Sequence, residues 1–251
     1  MKKIAIALTS LAALGLGAAW AGDAVPKADA GKVTVDSEGK THQWMKTGGE
    51  REKALELKPD LAHGKDVYEV CSACHMPEGW GRVDGTFPEI AGQHRSVLIK
   101  QLTDIREGNR DNPTMYPFAL PSEIGGEQSV ADVTAYIQKL PMNPENGVGP
   151  GTDLAHGEKL YKDNCVRCHG ATGEGDADKY YPRIQGQHYE YLLRQYKWIK
   201  EGKRRNANPD MMAQIKDFSD KDTIDVLDYV SRLKPPKELV GAKGWHNPDF
   251  E

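Results

Sequence analysis

"YEVCSACHM" (Tyr68–Met76) and "KDNCVRCHG" (Lys162–Gly170) each place two cysteines three residues apart with a histidine directly behind the second, and together they use all four cysteines of the 251-residue chain. Residues three apart in a helical turn share a face, so Cys71 with Cys74, and Cys165 with Cys168, present paired thiols. Two thiols at that separation can form thioethers with the two vinyl groups of a haem, and the following histidine, His75 or His169, then points its imidazole at the iron. The spacing predicts two covalently bound haem c groups. A zinc ribbon would hold its two cysteine pairs within one small site rather than more than ninety residues apart. A thioredoxin-like pair would need a βαβ setting that the pattern lacks. Disulfides across the two copies would leave both histidines without a purpose.

The motif is the centre of a longer repeat. "DLAHGKDVYEVCSACH" (60–75) answers to "DLAHGEKLYKDNCVRCH" (153–169), "PEIAGQH" (88–94) to "PRIQGQH" (182–188), and "ADVTAYIQKL" (131–140) to "IDVLDYVSRL" (224–233). Leu98, Gln101, Ile105, Gly108 and Arg110 fall opposite Leu192, Gln195, Ile199, Gly202 and Arg204. This divides the chain into a unit over 59–140 and a second over 151–234, joined by the Pro/Gly/Asn-rich linker 141–150. Apolar spacing in each unit reads helix, long loop, helix, loop, helix, so the expected fold is all-α. Asp60 and Asp153 are placed to cap the first helices, and Ser219 opens the last helix of unit two with a capping-box pattern. Only "KVTVDSEGKTHQWM" in the leading extension, 22–58, has the alternation of a small hairpin. About eighty residues bury little core alone, so each unit is expected to fold around its haem.

Residues 1–21 begin Met1-Lys2-Lys3, run uncharged from Ile4 to Ala21 and end Ala19-Trp20-Ala21, a small-x-small pattern cut by signal peptidase. They read as a signal peptide cleaved after Ala21, which makes the mature chain periplasmic and not membrane-spanning. Its loss takes the formal charge from −4 to −6, which argues against nucleic acid as a partner.

The second axial ligand separates electron transfer from chemistry at an open iron. Met1 and Met45 lie outside the repeats, Met76 is tied to the histidine side of the ring, and Met142 is in the linker. Met115 in "NPTM" and Met211 in "NPDM" remain, 40 and 42 residues after His75 and His169, with Met212 one residue of register away. Recurrence in both copies favours a ligand over core filling. His94 and His188 also recur and would give bis-histidine ligation, although they read as exposed helix-start residues, as do His63 and His156.

These motifs together resemble the tandem dihaem class I c-type cytochromes of the cytochrome c4 type, over about 59–234. The shared features are CxxCH, "PxIxGQ", an amphipathic helix ending "EGxR", "NPxM", and a last helix with a central tyrosine. The resemblance implies two tandem class I cytochrome c domains. It also implies that the Pro88 and Pro182 carbonyls accept from Nδ1–H of His75 and His169, and that Gly64 and Gly157 allow a close helix crossing near Tyr136 and Tyr229. It implies an electron carrier with no catalytic residues, working with redox protein partners as donor and acceptor. Alternatives are a dihaem subunit in a heteromer with a dehydrogenase, such as a flavocytochrome, or a dihaem enzyme of the thiosulfate dehydrogenase or peroxidase type. Unit one departs from the pattern with Met76 where unit two has Gly170. Residues 22–58 and the tail 235–251 have no counterpart and read as packing straps or docking surfaces.

The halves differ in charge: 59–140 has 7 Lys/Arg against 12 Asp/Glu, whereas 151–234 has 15 against 14. Much of the difference lies in "KWIKEGKRR" (197–205), which reads either as a solvated helix face or as a patch that steers an acidic partner.

Overall fold

The computed structural model describes residues 32–45 and 48–250. The expected signal peptide lies outside the described residues. Within them, no helix is long and apolar enough to cross a membrane.

The extension opens with the expected hairpin, β1 (Val33–Val35) antiparallel to β2 (Thr41–Gln43), followed by α1 (Gly49–Glu56). Unit one contains α2 (Leu61–His75), α3 (Arg95–Arg106), the short α4 (Tyr116–Ala119) and α5 (Pro121–Ile124), and α6 (Glu127–Lys139). Unit two repeats the plan with α7 (Leu154–Asn164), α8 (Val166–His169), α9 (Tyr189–Lys200), α10 (Pro209–Ile215) and α11 (Asp220–Ser231). The caps are those the side chains dictate. Asp60 accepts from the amides of Ala62 and His63, Asp153 from His156, and Ser219 with Asp222 forms a complete capping box.

The first and last helices of each unit cross so closely that only glycine fits. A Cβ on Gly64 would lie 2.3 Å from the Asp132 carbonyl oxygen, and one on Gly157 would lie 2.1 Å from that of Asp225. Beside each crossing a histidine of the first helix binds an aspartate of the last: His63 Nδ1 to Asp132 at 2.7 Å and His156 Nδ1 to Asp225 at 2.9 Å. His63 is exposed as expected and His156 is half-buried, and both also tie helices together.

The two units meet through a seam that repeats itself. Gln187 accepts from the Glu89 amide at 3.1 Å and donates to the Glu89 carbonyl at 2.8 Å. Gln93 does the same to Arg183, at 2.9 Å each way. His94 Nε2 bonds the Glu174 carbonyl and His188 Nε2 the equivalent Trp80 carbonyl, both at 2.7 Å. The expectation that His94 and His188 are exposed is thus corrected: His188 is fully buried, and both are committed to carbonyls of the opposite unit. Single-sequence periodicity could not show this, because the partner lies 80 residues or more away.

The linker is not a spacer either. Met142 is buried against Gly92 and Gly186, one glycine of each "GQH" turn, and Asn146 donates to the carbonyls of Gln187 and Ser231. The extension and tail act as straps on unit one. Trp44, Met45, Ala54 and Leu55 join its core, and Arg95 reaches from α3 to the carbonyls of Ala54 and Leu57. In the tail, Trp245 packs on Trp80 with ring centroids 5.8 Å apart, Phe250 packs on Tyr68, and Asn247 donates to the Pro77 carbonyl. The hairpin spans the seam, with Thr34 donating to the Arg205 carbonyl at 2.7 Å while Asn109 of unit one donates to Gln43.

Candidate functional site

Each CxxCH segment is helical. In unit one it is the last turn of the continuous α2. In unit two the helix breaks at Cys165 and resumes as α8, with the His169 amide still bonded to the Cys165 carbonyl at 2.9 Å. Both cysteine pairs are therefore presented side by side, and all four thiols are free and partly buried. Burial pushes the Cys71 and Cys165 thiols up to about 12, so both remain protonated in the unmodified chain.

The histidines are oriented as the family resemblance implied. His75 Nδ1 lies 3.0 Å from the Pro88 carbonyl and His169 Nδ1 3.2 Å from that of Pro182. A carbonyl can only accept, so Nδ1 carries the proton and Nε2 keeps its lone pair. Burial lowers the pKa of both rings, which holds them neutral. A neutral imidazole locked at Nδ1 and free at Nε2 is the arrangement an iron ligand needs.

Met115 sits at the start of α4 and Met211 in the first turn of α10. The amide of Tyr116 bonds the Asn112 carbonyl at 2.9 Å and that of Met212 the Asn208 carbonyl at 3.0 Å, so Met115 and Met211 are the equivalent residues. Met115 packs against the same core as Cys71. Met211 and Met212 both pack against the core that Cys165 joins.

The seam supplies a test of whether haem fits this frame. Arg110 and Arg204, equivalent residues, are half-buried side by side. Each donates to the glutamine of its own unit, Gln101 or Gln195, at 2.9 Å. Arg204 also bonds Gln101 of the other unit at 3.0 Å, and Arg110 the Tyr191 hydroxyl at 3.3 Å. Neither guanidinium forms an ion pair with a carboxylate among the described residues. Burial and the charge of Arg110 push Arg204 down to about 10. Two half-buried guanidiniums held side by side without a carboxylate ion pair suit an anionic group, and the propionates of two haems have that chemistry. The recurrence of Gln101/Gln195 and Arg110/Arg204 was visible in the repeat. A glutamine at the same place on α3 and α9, with an arginine nine residues on and past the end of each helix, was the available signal that they act together.

The cationic stretch 197–205 does not form one patch. Arg204 turns into the seam, and Arg205 lies 3.7 Å from Asp36 and 3.9 Å from Asp111. Lys200 donates to the Phe218 carbonyl, and Lys203 pairs with Glu201 at 2.6 Å. Adjacent residues in a turn point in different directions, so a charge run in the sequence is dispersed in space.

The family described as Cytochrome c matches residues 61–141 and 154–234. The chain belongs to the cytochrome c family, in its tandem dihaem cytochrome c4 form. Cytochrome c4 of Azotobacter vinelandii is 30% identical over 190 residues, covering 69% of this chain and 89% of that one. The crystal structure of reduced recombinant cytochrome c4 from Pseudomonas stutzeri superposes with a TM-score of 0.61 at 27% identity, covering 70% of this chain and all of that one. A thiosulfate dehydrogenase electron acceptor of Stutzerimonas stutzeri strain A1501 is 28% identical over 198 residues, covering 71% of this chain and 90% of its own length. Like these cytochromes, the chain is a dihaem electron-transfer protein, and its two cysteine pairs carry two covalently bound haem c groups. The family match leaves the extension and the tail uncovered.

Proposed function

We propose that the chain is a periplasmic single-electron carrier with cytochrome c domains over 59–140 and 151–234, taking electrons from a quinol-oxidising complex or a dehydrogenase and passing them to a terminal oxidase or reductase. In this reading Cys71 and Cys74 hold one haem with His75 and Met115 as axial ligands, and Cys165 and Cys168 hold the second with His169 and Met211. The bound haems supply a one-electron ferric/ferrous couple at each site. The observation that supports the proposal is the repetition of one arrangement in both units: a histidine locked at Nδ1 by a proline carbonyl, and a methionine at the matching place in the later loop. A soft thioether favours the reduced metal and raises the potential relative to a second imidazole. The Gln93 and Gln187 clasps hold the two sites at a fixed separation, and Arg110 and Arg204 neutralise acidic groups brought to the seam. All four cysteines belong to the motifs, so no thiolate is left to serve a catalytic iron. The similarity to a thiosulfate dehydrogenase electron acceptor supports an enzyme of that kind as one donor.

Replacing Met115 or Met211 with Ala should lower the potential of one haem by on the order of 0.1 V, within the ~0.8 V span that axial ligands cover. The far-red methionine-to-iron absorption band of that haem should disappear, as read by spectroelectrochemistry. If Met211→Ala retains the bands of both haems while Met212→Ala loses one, the ligand is Met212. If neither Met115→Ala nor Met211→Ala alters a band, the methionine assignment fails.

A further inference from the structure

The duplicated frame allows the exposed rims of the two sites to be compared position by position. In unit two the methionine-bearing loop meets the cysteine segment, with Gln214 Nε2 donating to Asn164 Oδ1 at 2.8 Å. Arg167, Asp210, Ala213, Gln214 and Asp217 line one open depression there. At the equivalent positions unit one has Val70 for Asn164, Ala73 for Arg167, Thr114 for Asp210 and Phe118 for Gln214. Every charge and every side-chain amide in that set is gone.

Val70 is half-buried against the core, but Phe118 is 53% exposed, and Tyr116, which stands opposite Met212, is 44% exposed. Nor is the loop bearing them loosely held. α4 buries Ala119, and Arg106 fastens the loop from behind, donating to the carbonyls of Ala119 and Gly125 and pairing with Glu50. Two aromatic residues are thus presented to solvent on a braced platform. Asp66 and Glu69 are exposed on α2, each four residues before Val70 or Ala73 and so on the same helix face. Glu123 is exposed just beyond the aromatic pair in sequence, while Asp111 before it lies 3.9 Å from Arg205. Between Glu107 and Glu127 the one cationic residue is Arg110, which faces the seam. The face has an apolar centre and an acidic surround.

We propose that Val70, Ala73, Tyr116 and Phe118 form the docking surface of unit one for a redox protein whose own contact face is apolar and ringed by Lys and Arg. This rests on the electron-carrier reading. Charge complementarity identifies the occupant, because a second copy docking through this same face would set one acidic ring against another. A small apolar centre with a charged rim suits a carrier that must bind fast and leave, since the rim charges act mainly on the association rate. Unit two, with Arg167, Asp210 and Asp217 on its rim, offers that partner no equivalent face.

The test uses the full dihaem protein, a Tyr116→Ser/Phe118→Gln double variant, and Val148→Ser as a control that removes an exposed apolar group in the linker. The probe is a monohaem cytochrome with a lysine-ringed haem edge. Binding is measured by interferometry and electron exchange by stopped flow, at low and high salt, with hexaammineruthenium as a small reductant. The double variant should bind the probe about tenfold or more weakly, the control should match the wild type, and salt should weaken wild-type binding. Hexaammineruthenium should reduce both haems in every variant. Unchanged affinity in the double variant would overturn the docking surface. So would a wild-type dimer in sedimentation that the double variant dissolves, since the occupant would then be a second copy. Failure of hexaammineruthenium to reduce the wild-type haems would instead overturn the carrier reading itself.

Discussion

Unit one and unit two share a frame down to the glycine at the helix crossing, the histidine lock and the glutamine clasp, yet they are stabilised differently. Unit one takes Trp44, Met45, Ala54 and Leu55 from the extension and Trp245 and Phe250 from the tail, and unit two lends it the fully buried Tyr180. The core of unit two is smaller and made of its own residues, Tyr161, Tyr189, Tyr196, Ile199 and Val226 among them. Duplication preserves what the haem geometry demands. The cores and rims have diverged, with an apolar rim on one unit and a polar rim on the other.

The largest effect that could break this comparison is loss of one haem. Cys165→Ser/Cys168→Ser should leave a chain with one haem by mass spectrometry and a large loss of far-ultraviolet helical signal, because a small core depends on the haem's apolar surface. Cys71→Ser/Cys74→Ser should lose less helix, since the straps supply apolar cover. Equal losses would show that the straps do not brace unit one.

Filling the helix crossings comes next. A Cβ at Gly157 or Gly64 would strike a backbone carbonyl that cannot turn aside, so Ala at either position should destabilise its unit by about 3 kcal/mol, the upper end for overpacking. In unit one the strapped α6 has less freedom to yield. Gly64→Ala should therefore also loosen the tail, read as faster amide exchange around Asn247, with no counterpart for Gly157→Ala.

The turn after each histidine sharpens the contrast further. Met76 (φ 68°, ψ 157°) holds a conformation that glycine adopts freely, as Gly170 does at φ 78° in unit two. In both units a buried tyrosine holds this turn, Tyr68 donating to the Met76 carbonyl at 2.8 Å and Tyr161 to that of Gly170 at 2.6 Å. Met76→Gly should relieve strain of about 1–2 kcal/mol and raise the melting temperature of unit one; no gain would mean that the Met76 side chain compensates.

The smallest expected effect is at Glu89, where unit two has Arg183. Glu89 accepts from the Asn143 amide at 2.7 Å, its other oxygen is buried without a partner, and burial raises its pKa well above the usual carboxylate range. The folded state therefore holds this proton more tightly than the unfolded one. The associated stability is present below about pH 4.5, the ordinary glutamate value, and is lost as pH rises through the folded pKa. Glu89→Gln should stabilise the protein at neutral pH in denaturant titrations, and the gain should disappear in acid. A gain independent of pH would assign the effect to packing.

The sequence by itself determined the cofactor, its number, the duplication and the helical plan. These follow from local chemistry: thiols at i and i+3, a histidine beside them, caps and glycines at fixed offsets, and a pattern written twice. It also placed Met115 and Met211 at matching sites, since the repeat carries its own alignment. Only the tertiary structure decided what His94, His188, Gln93 and Gln187 are for, because their partners are backbone groups of the other unit. It likewise turned Arg204 inward and paired Arg205 with Asp36, dispersing a charge run that looked continuous along the chain. Residues that act on their own helix or turn leave a period in the sequence. Residues that act across a seam leave none, since chain folding brings their partners to them from 80 or more positions away.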